Sequence, residues 1–418
     1  MSRALNVFLH NRLTGYLKQN DRGGLSFQYD EVYLTDKPQQ ISISLPLRTE
    51  IFEGDIVRAF FSGLLPDDIV KHRLARFIGV SEKNPFALLE AIGGECAGAI
   101  SLQIPEEPRD LSEDGDIEVL DSQKLKEILD QLKRRPLLAG EDGLRLSLAG
   151  AQAKLAVGLV SGKIALVRGN RPTTHILKPL IEGITDSVHN ELFCMRLARL
   201  IGIDVPYAQI IYVEDKSCYL VDRYDRVEQD GKTVRLHQED FCQALGILPD
   251  VKYEREGGPS LAQCVDILKR YSATPAADIL KLQDRVIFNF LIGNSDAHGK
   301  NFSLLYRGSK PQLAPAYDML STAIYPDFAV KMAMKIGDQY EPEGVLLRHW
   351  QNLVADTTTA KRGFKKKLLS LSDKTLENAE KLARELHQQG FDAKIYAEIL
   401  GVIDRRAKHI KGSVSGEF

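Results

Sequence analysis

An α+β fold is predicted, with a strand-rich lobe followed by a helix-rich lobe and an additional N-terminal α/β subdomain. Three observations predict it. At 418 residues the chain is too long for one ordinary core. Short apolar runs of strand character concentrate before about residue 225, and the chain from Gln238 onward is largely helical in spacing. Strands first and helices afterwards is the order of an α+β domain. The expected division is 1–135 for the N-terminal subdomain and 136–418 for the second domain, whose strand-rich lobe reaches about 225.

In the first block, 4–10 and 25–29 read as strands, and Ile41-Ser-Ile-Ser-Leu-Pro-Leu47 alternates with the period of a half-buried strand. Helices are expected over 55–64, ended by Leu65-Pro66-Asp67-Asp68, and over 68–78. The Pro- and acid-rich stretch 105–116 reads as an exposed loop, helical spacing resumes over 122–132, and Gly93 and Gly94 fall at turn positions. The second block opens with apparent strands at 144–150, 154–160, 163–169 and 175–179. A helix over about 187–201 and strands at 209–214 and 218–224 follow.

Composition excludes several classes. The net charge of −2 gives no cationic excess for a general nucleic-acid binder. No run of 18 apolar residues occurs, and the N-terminus is charged too early for a signal peptide. The five cysteines are scattered, without C-x-x-C spacing, as suits reduced thiols in a cytoplasm. A zinc hydrolase lacks its H-E-x-x-H spacing, and a serine hydrolase lacks its G-x-S-x-G elbow.

The densest polar cluster is Gly293-Asn-Ser-Asp-Ala-His-Gly-Lys-Asn-Phe-Ser303, after the apolar run 286–292 that only Asn289 breaks. Asp296-x-x-x-x-Asn301 followed by Asp318 is the order of parts that phosphoryl transfer requires. One carboxylate orients the attacking hydroxyl, and an amide and a second carboxylate hold metal ions on the ATP phosphates. Mg²⁺ needs only one or two such protein oxygens. Asp318-Met319-Leu320 stands where a kinase carries Asp-Phe-Gly. Taken alone, 296–301 is equally a turn rich in Asp, Asn and Gly. The remaining parts occur in order: a small-residue loop at 147–154, Lys178 at the end of an apolar strand, and a polar exit from a strand at 222–224 as the adenine-binding hinge. Glu191 is placed to pair with Lys178, or is simply favoured near a helix N-terminus.

These residues resemble the HipA kinases, the toxin halves of bacterial type II toxin–antitoxin pairs. The resemblance lies in Arg145-Leu-Ser-Leu-Ala-Gly-Ala-Gln-Ala-Lys154, Thr174-His-Ile-Leu-Lys-Pro179, Gln238-Glu-Asp-Phe-Cys-Gln243, Lys252-Tyr-Glu-Arg-Glu-Gly-Gly-Pro259, Asp296-Ala-His-Gly-Lys-Asn301 and Tyr317-Asp318. In the first block it lies in Ile41-Ser-Ile-Ser-Leu-Pro-Leu47, Phe60-Phe-Ser-Gly-Leu-Leu-Pro-Asp67 and Ile92-Gly-Gly-Glu-Cys-Ala-Gly98. It implies a protein-kinase-like (PI3/4-kinase-like) bilobal fold and an ATP- and Mg²⁺-dependent serine/threonine protein kinase. Asp296 would be the catalytic base, Lys178 the phosphate-binding lysine, and Asn301 and Asp318 the Mg²⁺ ligands. Ala149, Gly150, Ala151, Gln152, Ala153 and Lys154 would form the loop over the phosphates. Asp222, Arg223 and Tyr224 would form the hinge, and Gln238, His298, Gly299, Lys300 and Tyr317 would line the site. Ser147 matches an autophosphorylation serine that switches the kinase off by ejecting the loop; as a sequence feature it is equally an inner-strand hydroxyl.

The implied partners are a HipB-type helix-turn-helix antitoxin, operator DNA through that complex, and glutamyl-tRNA synthetase as the protein target. The basic run Lys361-Arg-Gly-Phe-Lys-Lys-Lys367 is either a DNA contact or a solvated helix face. Two other readings stand beside this one: a small-molecule or lipid kinase of related fold, and a catalytically silent binding module.

Overall fold

The computed structural model describes residues 3–105, 115–391 and 393–416. The chain forms two compact units, each taking several stretches of sequence. The first comprises Met1–Pro179, Ile211–Val251 and Ser303–Pro311, and the second Leu180–Ile210, Lys252–Phe302 and Gln312–Phe418.

The first unit carries two sheets on one core. Strands β1 (Arg3–Leu9), β2 (Arg12–Gln19), β3 (Leu25–Tyr29), β4 (Phe52–Glu53) and β5 (Ile100–Gln103) form a sheet in the order β4-β3-β2-β1-β5. His10 and Asn11, which join β1 to β2, both take left-handed backbone (φ 49° and 65°), the twist that a two-residue hairpin needs. The helix Asp55–Gly63 buries Val57, Phe60 and Phe61, and Phe61 lies 5.6 Å from the Phe27 ring of β3. The helix Asp68–Ile78 stops at Gly79, whose φ of 80° suits a residue without Cβ.

Strands β6 (Ile117–Val119), β7 (Leu155–Val160), β8 (Lys163–Val167), β9 (His175–Pro179), β10 (Ala208–Val213) and β11 (Lys216–Asp222) form a second sheet, ordered β10-β11-β9-β7-β8-β6. A single apolar cluster runs from Leu5 through Phe60, Leu146 and Leu177 to Leu220, so both sheets share one interior. The hairpin β12 (Arg226–Gln229) to β13 (Lys232–Arg235) turns at Asp230-Gly231, both left-handed. Finally β14 (His237–Asp240) pairs antiparallel with β15 (Ser303–Tyr306).

The second unit is helical: Ser187–Leu200, Leu261–Tyr271, Pro275–Ile292, Thr358–Gln388 and Ile395–Ser415. Ser260 and Gln263 close a capping box on one of these helices, and Pro275 opens the next. Trp350 is fully buried, 5.2 Å edge-on to Phe290 and 6.5 Å from Phe364. Among the described residues no helix is long and apolar enough to cross a membrane, and all five cysteines are buried thiols.

Two expected strands are absent. Residues 41–47 form turns with only an isolated bridge, Ser42 to Leu45. Their backbone is satisfied by side chains: Tyr29 Oη donates to the Leu45 carbonyl and accepts from Ile41 N, and the Glu239 carboxylate accepts from Ile43 N. Pro46 removes a further ladder donor. Residues 144–150 bury Leu144, Leu146 and Leu148 as an alternating strand would, but form only two isolated parallel bridges, Glu95 to Leu146 and Pro66 to Gly150. The loop expected at 105–116 lies outside the described residues over 106–114. The basic run at 361–367 sits in a helix whose Lys361 pairs with Asp356 and whose Lys367 pairs with Asp284 at 2.8 Å, while Phe364 is buried.

Glu95 ties the N-terminal block to the second sheet through four buried charges. Its Oε1 lies 3.2 Å from Arg223 Nη1 and 2.7 Å from Arg226 Nη2. Asp225 Oδ2 completes the set at 2.8 Å from Arg223 and 2.9 Å from Arg226. Glu95→Gln leaves two buried guanidiniums with one carboxylate between them, a loss of about 3–5 kcal/mol. The expected outcome is a urea unfolding transition at clearly lower denaturant than for the parent chain.

Candidate active site

The sequence-derived site residues fall in two groups, one in each unit. In the first unit Lys178 lies near the end of β9, buried, opposite Tyr219 of β11, with its Nζ 5.5 Å from the Tyr219 ring centroid. The ladder puts both side chains on one face, and the aromatic face shelters the cation from the apolar sheet. The loop 149–154 closes on itself: Lys154 Nζ donates to the Ala149 carbonyl at 2.6 Å, and Gln152 Nε2 donates to the Pro179 carbonyl at 3.1 Å. Gly150 has φ of 106°, and a Cβ there would meet Lys154 Nζ at 2.4 Å. Ala151 and Ala153 keep the rest of the loop small. Ser147 is fully buried; its Oγ donates to the Leu64 carbonyl at 2.7 Å and its N–H to the Glu95 carbonyl at 2.8 Å.

The three residues expected to form the hinge diverge. Asp222 ends β11 with Oδ1 3.0 Å from His175 Nε2. Arg223 turns inward to the buried charge cluster, and its N–H is already donated to the Thr174 carbonyl at 2.9 Å. Tyr224 Oη donates to Gln238 Oε1, which brings the hinge and β14 together. Gly98 makes room for this strand: at φ 75° a Cβ would lie 2.7 Å from Gln238 N. Next to Gln238, burial lifts the Glu239 carboxyl to about 7 against the hydrogen bonds from Ser42, Tyr306 and Ile43 that favour its charge.

In the second unit the polar cluster follows the helix Pro275–Ile292. Gly293 ends the helix at φ 68°, and a Cβ there would strike Ala323 and Val402 at 2.7 and 2.8 Å. Asn289 Oδ1 accepts from Asn294 Nδ2 at 3.0 Å, and Asn294 Oδ1 accepts from Asp296 N at 3.1 Å, so the one polar residue of the apolar run starts the loop. Asp296 Oδ1 accepts from Tyr253 Oη at 2.7 Å. Asn301 Nδ2 lies 3.0 Å from Asp318 Oδ2, and Asn301 Oδ1 accepts from His298 N at 3.1 Å. His298 and Lys300 are buried, and Gly299 N points at the Lys252 carbonyl at 3.4 Å. Tyr317 Oη donates to the Lys300 carbonyl at 2.6 Å. Asp318 takes φ of 57°, and Met319 fills the apolar interior behind it. Asn190 then clamps the backbone of Ser321 through both amide atoms, at 2.8 and 2.9 Å.

The Asn301 amide and the Asp318 carboxylate therefore stand side by side, joined here through Asn301 Nδ2 while Asn301 Oδ1 accepts from His298 N, and among the described residues no group of three or more His, Cys, Asp or Glu gathers as a metal cage. This donor set suits Mg²⁺ shared with phosphate and water, and does not suit zinc.

Residues 146–389 match the family model described as the HipA-like C-terminal domain, and residues 5–103 match the HipA N-terminal domain. The chain belongs to the HipA family. Among HipA relatives, a putative kinase of Sinorhizobium fredii, Y4mE, is 41% identical over 418 residues, covering 99% of each chain. The serine/threonine-protein kinase toxin HipA of Shewanella oneidensis is 31% identical over 301 residues, 69% of this chain and 68% of that one. A Shewanella oneidensis HipA structure, solved with HipB and operator DNA, superposes with a TM-score of 0.83 at 24% identity, covering 99% of this chain and 98% of that one. The protein is a HipA-type serine/threonine kinase with the kinase-like HipA fold. The two matched HipA segments leave 104–145 between them.

Sequence reasoning passed over Tyr253, although it stands in the quoted motif at 252–259, and over Glu95, Asp225 and Arg226. For the charges the available signal was the sequence Asp222-Arg-Tyr-Asp-Arg226, too charged for a strand exit unless its members pair.

Because Glu239 binds its proton more tightly when folded, the folded state carries more protons than the unfolded one between about 4.5 and about 7. Its contribution is therefore full below the unfolded value and falls as pH rises through that window, by about 1.4 kcal/mol per pH unit at the steepest. Glu239→Gln is expected to flatten this part of the stability profile, read by urea unfolding at a series of pH values.

Proposed function

We propose that this chain is a cytoplasmic ATP- and Mg²⁺-dependent protein kinase that acts as a growth-inhibiting toxin and phosphorylates serine or threonine hydroxyls. The observation that carries the reading is the Asn301–Asp318 pair at 3.0 Å, with Asp296 on the same loop as Asn301. In this reading Asp296 orients the acceptor hydroxyl and takes its proton as the bond to phosphorus forms. Lys178 and the backbone of 149–154 hold the triphosphate, and residues 222–224 hold the adenine. Asn301 and Asp318 would hold Mg²⁺, which neutralises charge on the transferring phosphoryl group when bound.

Ser147 is proposed as the self-modified serine. Its hydroxyl donates to the Leu64 carbonyl, so a dianion on the seated loop would face a carbonyl oxygen in place of that bond. A HipB-type antitoxin and, through it, operator DNA are the proposed partners, supported by the HipA–HipB–DNA complex of the structural relative. Glutamyl-tRNA synthetase is the proposed target class, resting on the family resemblance alone.

Incubation with labelled ATP and Mg²⁺, followed by mass mapping of phosphosites, tests this. Wild type is expected to carry phosphate on Ser147. Asp296→Asn is expected to fall by about 10²–10³ in rate while still binding ATP. Undiminished phosphotransfer by Asp296→Asn would remove Asp296 from the mechanism, and lipid labelling in place of protein labelling would make the chain a lipid kinase.

A further inference from the structure

Tyr253 makes a direct hydrogen bond to the carboxylate on which the proposed mechanism turns. Its Oη donates to Asp296 Oδ1 at 2.7 Å, within the range of a charge-assisted O–H···O⁻ bond. The phenol is held from several sides. The Tyr253 carbonyl accepts from Glu256 N and Gly258 N, both at 2.9 Å, through a turn that needs the φ of 103° at Gly257. The next residue, Glu254, donates its N–H to the Ala333 carbonyl at 3.0 Å and accepts from Lys335 N at 2.8 Å. The ring stands edge-on to His298 at 5.3 Å, with the Arg255 guanidinium 5.7 Å from its centroid. A tyrosine so anchored is a fixed donor.

We propose that Tyr253 is a positioning residue for phosphoryl transfer: its bond to Oδ1 restrains the rotation of the Asp296 carboxylate and so aims it at the acceptor hydroxyl. The proposal rests on the reading of Asp296 as the base. A general base works only when one lone pair lies within about 2.6–3.2 Å of the proton it takes. A carboxylate free to rotate about Cβ–Cγ spends part of its time with neither oxygen aimed there. The backbone side of Asp296 is fixed by Asn294, and the phenol adds a constraint at the carboxylate itself. Tyr253 touches neither nucleotide nor acceptor in this role, and it gains or loses no proton.

The test is Tyr253→Phe in the full-length protein, which keeps the ring packing and removes only the hydroxyl. The expected result is a kcat lower by about 10- to 100-fold, the loss for one hydrogen bond to a charged group. KM for ATP should stay unchanged, and the variant should remain fully folded at the assay temperature. A purely structural tyrosine would not give this split. In an Asp296→Asn background, Tyr253→Phe should have no further effect, since the amide no longer needs aiming as a base. An unchanged kcat, a faster enzyme, or additive losses in the double variant would each overturn the proposal. If Asp296→Asn alone retains full activity, it is the base assignment that fails, and that outcome is read separately.

Discussion

Glu95 is the residue on which most of the first unit depends, because its backbone and its side chain hold different parts of that unit. Its N–H and carbonyl flank the strap at 145–147, at 2.7 and 2.8 Å, which seats the start of the loop 149–154. Its carboxylate accepts from Arg223, Arg226 and Thr173 and so fixes the exit of β11, where the hinge begins. Four charges in a dry interior would be costly unless each is matched. Here they are: burial alone would raise the carboxyls, yet the guanidiniums of Arg235, Arg223 and Arg226 draw Glu95 below its usual range, and Asp225 is likewise lowered. Gly94 is required beside it, since a Cβ would lie 2.7 Å from Arg145 Cβ.

The second unit solves a different problem, holding several polar residues at the end of an apolar helix. The solution is a chain of amides. Asn289 is buried in the helix, Asn294 bonds to it and to Asp296 N, and Asn301 bonds to His298 N and to Asp318. Asparagine suits the task because each amide both donates and accepts, so no link is left with an unmatched charge. The left-handed backbone at Gly293 and Asp318 marks the two places where the chain turns sharply to present carboxylates. Strain of this kind at a non-glycine residue is common where side chains must be aimed.

Much of this was legible from residue order alone. The helix expected at 68–78 is found there, β7, β8 and β9 lie within the runs read as strands, and β11 overlaps the run at 218–224, because their periodicity directly reports burial on one or two faces. The strands expected at 41–47 and 144–150 failed for a shared reason. Alternating burial is necessary for a strand but does not require a ladder, and both segments satisfy their backbones through side chains or isolated bridges. The two hairpins at 10–11 and 230–231 did carry local signals, Asn and Asp-Gly at left-handed positions, which the longer apolar runs overshadowed. At the candidate site, spacing singled out Asp296, Asn301 and Asp318, and the structure sets the last two side by side. It could not find Glu95, which lies 128 residues from Arg223 and meets it only after folding. Nor could it orient Arg223, whose guanidinium serves the interior while only its backbone borders the hinge.

The seating of Ser147 gives the proposed self-inactivation a definite physical shape. In the loop-in arrangement the hydroxyl is a buried donor whose acceptor is the Leu64 carbonyl. Phosphorylation removes that donor and sets a dianion against a carbonyl oxygen, so the arrangement seen here belongs to the unmodified serine. The strap has no strand ladder to resist release: it is held by the bridges of Leu146 to Glu95 and Gly150 to Pro66, with the apolar side chains of Leu146 and Leu148. A full strand in a sheet would have been harder to detach and to reseat. The absence of a ladder at 144–150 is therefore what a segment needs if it must leave its seat intact, and the charge cluster around the Glu95 side chain can persist when the strap departs. The hinge would then keep its form in the modified protein while the phosphate loop lost its own.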